Sequence, residues 1–147
     1  MSDYLNAIAL DESTGAISMG VGATGWFRVD LGSGPFDTEN TVAVLAVAER
    51  VRVEGKYTYV NLLRRKYPLM LDENGVYTVL VDLANEDTRA IAPGKYVWTL
   101  ILVTDPAYDD NGDVIVDERA DGVYPLWTGS NQPKFELEGL AHVISGN

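Results

Sequence analysis

The densest run of metal-binding side chains is YDDNGDVIVDE, where Asp109, Asn111, Asp113 and Glu118 surround Gly112. With Gly112 in the sixth place of a calcium loop, Asp109, Asn111 and Glu118 fall on ligand positions, and calcium needs several convergent oxygens. The first ligand place, however, holds Ala107, which cannot coordinate, and strands rather than helices are expected on either side. A hairpin turn with solvated acids is the favoured reading. Asp109, Asn111 and Glu118 remain weak calcium candidates.

Other chemistry is thinner. His142 is the single histidine and there is no cysteine, so a histidine-based triad, a multi-histidine metal site and a thiolate nucleophile are excluded by count. Glycoside hydrolysis needs two carboxyl groups facing each other across a cleft. Glu86 and Asp87 are adjacent instead, in a segment where an acid is explained by accepting backbone N–H groups or capping a short turn. The glycines at 20, 22 and 25 lack the Lys-Ser/Thr ending of a phosphate loop and precede a strand, so a turn or bulge before Trp26 accounts for them. Tyr108, Tyr124 and Trp127 sit in or beside loops, where aromatic rings can stack on sugars or anchor a protein interface. The competing reading places Trp26, Trp98 and Trp127 in a core, and for Trp98 the core is strongly favoured.

The elements that would carry these residues are short, period-two apolar runs separated by Gly, Pro, Asn and Asp, the all-β pattern. In 26–31, Phe27, Val29 and Leu31 alternate with Arg28 and Asp30; 51–54 repeats this with Arg52 and Glu54 outward. In 76–83, Tyr77, Val79, Val81 and Leu83 share a face, and 135–140 alternates around Glu136 and Glu138. Residues 96–103 are apolar or β-branched on both faces and predict a central strand. Segment 37–51 mixes valine alternation with helical density, and 41–48 is assigned as strand. Asn74-Gly75 and Asn111-Gly112 predict tight turns, and 32–35 ends the strand before it. Between 83 and 91 a short helical turn crosses between sheets, with Asn85 as its expected cap. It is followed by Pro93, Gly94 and Tyr96, which together with Asp87 spell a tyrosine corner, the feature of Greek-key sandwiches in which the phenol bonds back to upstream backbone. The stretch 105–122 is the longest excursion from this pattern and the expected mobile loop.

The chain has 147 residues, enough for one domain with a real core, and no internal repeat or linker divides it. Its net charge is −11, with 22 acids against 11 Lys plus Arg, which repels phosphate backbones and anionic membranes. The one basic cluster, Arg64-Arg65-Lys66, is too small for a nucleic-acid groove and reads as a strand edge or a local partner for acids. The segment MSDYLNAIALDESTG has no basic region and no long apolar run, so no signal peptide is expected. No cofactor is implied.

The order of these features, with EDT followed by APGKYVWTLILV and a closing PKFELEGLAHV, resembles the Ig-like β-sandwich domains of phage tail and baseplate proteins. The likeness is to the N-terminal domain of the upper baseplate protein of phages of Gram-positive bacteria. It spans roughly 20–144 and is most specific over 86–103. The resemblance implies an all-β, Ig-like Greek-key β-sandwich of about seven to nine antiparallel strands with a short helical turn near 84–90. It further implies a non-enzymatic structural protein of a virion, assembled in the bacterial cytoplasm, whose partners are other tail or baseplate subunits or its own copies in a homo-oligomer. The family's usual protein continues past this domain, so a short structural protein or an isolated attachment domain is expected. The rival expectation is a carbohydrate-binding or cell-surface adhesion module using Tyr108, Tyr124 and Trp127, with calcium near Asp109 and Asp113.

Overall fold

A computed structural model describes residues 7–11, 13–116, 123–125 and 134–138. The described residues form an all-β structure of two sheets. In chain order the strands are β1 (Ala9–Leu10), β2 (Ile17–Gly20), β3 (Gly25–Asp30), β4 (Thr41–Val53), β5 (Lys56–Pro68), β6 (Met70–Leu71) and β7 (Tyr77–Leu83). The single helical turn α1 (Asn85–Thr88) follows, then β8 (Gly94–Thr104), β9 (Val123–Pro125) and β10 (Lys134–Glu138). The larger sheet has the order β1-β2-β10-β8-β4-β5, with β9 also pairing β8; the smaller is β3-β7-β6.

Alternation places the core as the sequence predicts. Phe27, Val29, Val79, Val81 and Leu83 of the small sheet face Leu45, Val47, Trp98, Leu100, Leu102 and Phe135 of the large one. Strand β8 is buried on both faces because a second apolar layer covers its back: Val44, Ile101 and Val103 pack under Val114. The segment around Val114 is a tight hairpin. Asp109 N–H donates to Asp113 O, Ile115 N–H to Ala107 O, and Gly112 takes φ +82°. The described part of the expected excursion thus closes onto the sheet.

Three expectations need correction. First, not every pair is antiparallel: β10 runs antiparallel to β8 but parallel to β2, with Phe135 opposite Ile17. A period-two pattern says which face is buried, not which way the neighbour runs. Second, 41–48 and 51–54 are one continuous strand, and Glu54 belongs to the turn at its end, at φ +51° beside Gly55 at +79°. Two adjacent positive φ values make the two-residue hairpin turn whose twist suits antiparallel strands. Third, Asn85 is not the helix cap. The capping position is Ala84, whose N–H donates to Asp87 Oδ2 at 2.6 Å, the reach-back half of a capping box. Asn85 instead bonds to a distant turn. Its Nδ2 donates to Gly22 O at 2.7 Å while Gly22 N–H donates to the fully buried Thr88 Oγ1 at 2.9 Å. These bonds dock the β2–β3 turn on α1. A Cβ on Gly22, already at φ +77°, would sit 2.9 Å from Asn85 Nδ2, so glycine is required there.

Candidate functional site

The predicted corner is present. The Tyr96 hydroxyl donates to Ala92 O, and Pro93 lies exposed in the bend just before β8. A Cβ on Gly94 would lie 3.4 Å from the Tyr96 oxygen, an ordinary contact, so the phenol packs directly over this residue. Tyr96→Phe keeps the ring and deletes the bond. It is expected to cost about 1 kcal/mol, visible as a lower urea midpoint at unchanged slope.

Asp87 does more than the sequence indicates. Its side chain is only 6% exposed, and besides Ala84 N–H it accepts from Arg65 Nη1 on β5, a strand of the larger sheet. Burial opposes the Arg65 charge, but the hydrogen bond and Coulomb attraction of Asp87 outweigh it, and the guanidinium titrates above its usual range. Beside it, Tyr67 donates to Asp82 O at 2.6 Å; burial raises its phenol well above the usual range, with Arg65 opposing. Glu86 is exposed, so the adjacent acids face different surroundings and do not oppose each other across a cleft. Their arrangement is a clamp that ties α1 to the larger sheet.

Of the calcium candidates, Asp109 is committed to its own turn. Asp109 Oδ1 accepts the N–H groups of Asn111 (2.9 Å) and Asp113 (3.0 Å), so the carboxylate holds its own turn. Glu118 lies outside the described residues. Among the described residues, no group of three or more His, Cys, Asp or Glu is placed to hold a metal. Of the three loop aromatics, Tyr108 is about half exposed, with the Lys66 ammonium 4.9 Å from its ring centre. Tyr124 pairs with Leu102 through the β9 backbone, and Trp127 lies outside the described residues, as does His142. The basic cluster is likewise engaged: Arg64 donates to Val114 O at 2.8 Å, Arg65 is held by Asp87, and Lys66 sits over Tyr108. Trp98 is buried as expected, whereas Trp26 is half-buried on the opposite side of β3 from Phe27.

The most unusual surface is one that no sequence motif singles out. The ladder between β4 and β8 ends at Ala48 opposite Val97, yet β4 and β5 continue together to the turn at Glu54-Gly55. Leu62 is the extra residue of a β-bulge where the two strands leave the sheet, and bulges bend and twist a strand pair. Beyond it a two-stranded arm projects. Val53 (53%), Tyr57 (59%), Tyr59 (42%) and Val60 (48%) are exposed on it. Register puts Val51, Val53 and Val60 on one face, and Arg50, Arg52, Tyr57 and Tyr59 on the other. On that second face Arg50 lies 4.7 Å and Arg52 5.9 Å from the Tyr57 ring centre. A sequence cue did exist: alternation over 49–60 gives neither face a purely polar character.

Among the described residues no helix is long and apolar enough to cross a membrane. No family model matches the chain, and no curated protein matches it in sequence.

Proposed function

We propose that this chain is a non-enzymatic structural subunit of a phage or prophage tail or baseplate-like assembly, acting through protein–protein contacts. The observation that carries the reading is the β4–β5 arm. A solitary two-stranded hairpin is marginally stable in water, and this one exposes valine, tyrosine and arginine, a mix in which tyrosine and arginine are enriched in interface cores. Such a surface gains by being covered. Strand order supports the Ig-like part of the proposal: on that reading β10-β8-β4-β5 would correspond to the G, F, C and C′ strands of an Ig sheet, and β3-β7-β6 to B, E and D. The same correspondence would put the tyrosine corner at the E–F crossing and make the Phe27–Trp98 contact a link from B to F.

The test is direct. Antibody labelling and mass spectrometry of phage particles released from the host are expected to find this chain in the tail fraction at a fixed ratio to other tail proteins. Its absence from particles, together with a positive glycan array for the soluble chain, would replace the proposal with the adhesion reading.

A further inference from the structure

We propose that the β4–β5 arm of one copy docks on the acidic body of a second copy, head to tail, rather than pairing arm to arm. This rests on the assembly reading above and names the partner that reading leaves open.

Charge is segregated along the chain. Residues 49–68 hold six of the 11 cations (Arg50, Arg52, Lys56, Arg64, Arg65 and Lys66) but only two acids, Glu49 and Glu54, for a net +4. The rest of the chain holds five cations and 20 acids, a net −15, and the two parts together give −11. The three cations at the root of the arm have partners within the molecule. The three on the arm lack an anionic partner: among the described residues, no carboxylate lies within salt-bridge distance of Arg50, Arg52 or Lys56. Arg50 and Arg52 instead lie against Tyr57, a combination of arginine and tyrosine typical of residues that dominate binding energy.

The same charges select the geometry. A two-fold contact between the arginine–tyrosine faces of two arms would set Arg50 and Arg52 of one copy against those of its mate, and like charges directly opposed are destabilising; one between the valine faces would leave those cations unanswered. An arm seated on the rest of a second copy, whose described residues hold 15 acids against four cations, meets opposite charge instead, which steers the encounter and fixes its register. A contact between two different surfaces repeats until it closes as a ring or runs on as a filament.

Sedimentation of the full chain over a range of concentrations tests this. The wild type is expected to self-associate at about 0.05 M salt and to dissociate at about 1 M, where screening is nearly complete at contact range. Arg50→Glu with Arg52→Glu is expected to weaken self-association roughly 100-fold or more, with unchanged thermal midpoint and circular dichroism, because both side chains are exposed. Zero-length carbodiimide cross-linking of mixed light and heavy-isotope chains should join Lys56 of one copy to carboxylates outside 49–68 of another. If the double variant associates like wild type, the arm is not the contact and the proposal falls, although an assembly through another face would stand. Cross-links from Lys56 to Glu49 or Glu54 of the other copy would mean arm-to-arm pairing and overturn the proposal. A wild type that stays monomeric at every concentration and salt overturns it as well, and the particle analysis above then decides the broader reading separately.

Discussion

Trp98→Ala is expected to remove about 4 kcal/mol of folding stability, the largest loss of any single truncation among the described residues. Three causes act together. The side chain is 1% exposed and is the largest of the fully buried ones, so its removal leaves a cavity the sheets cannot close. Its ring meets Phe27 edge-on at 5.6 Å between centroids, the contact that joins the two sheets at mid-core. Its Nε1–H donates to Gly15 O at 2.8 Å, and the loop before β2 loses that anchor. For a chain of this length the thermal midpoint should fall by roughly 12 °C. Trp98→Phe is the informative control. It keeps most of the volume and the contact with Phe27 but deletes the bond to Gly15, so its loss should be less than half as large. Equal losses in the two variants would mean that the indole N–H, not packing, holds the site.

Asp87→Ala is expected to cost about 2 to 3 kcal/mol. It strands Arg65 beside the raised-pKa Tyr67 and removes the acceptor from Ala84 N–H at the start of α1. The Arg65 side chain is 39% exposed, so water takes over part of its solvation, which places the loss below that of a fully buried broken pair. Asp87→Asn separates the two contributions. An amide oxygen still caps Ala84, while the charge on Arg65 goes unanswered, so an intermediate urea midpoint is expected. Hydrogen exchange gives a second readout: the Ala84 and Asp87 amides should lose protection in Asp87→Ala ahead of those in β4 and β8.

Legibility in the sequence differs from residue to residue. Phe27, Val29, Val79 and Val81 announce their burial through local alternation, and Trp98, Leu100 and Leu102 through a run that is apolar or β-branched on both faces, since each strand carries its own face pattern. Tyr96 and its preceding Pro-Gly are equally local, because the phenol reaches backbone only four residues upstream. The role of Asp87 is half legible. Its bond to Ala84 spans three residues, whereas its bond to Arg65 spans 22 and depends on where β5 ends up. Local spacing makes Asn85 look like a cap because its true partner, Gly22, lies 63 residues away.

The amino-acid sequence by itself determined the all-β character, the turns at Gly75 and Gly112, the corner and the identity of the central strand. All of these show in residue patterns only a few positions long. Only the tertiary structure decided that β2 lies parallel to β10, that Arg65 clamps the helical turn, and that β4 and β5 run on past their neighbours. The reason is that a segment such as Val51 to Tyr59 has the same periodicity whether or not another layer lies against it. Coverage is a property of distant chain, and it is coverage that separates a core strand from an exposed arm.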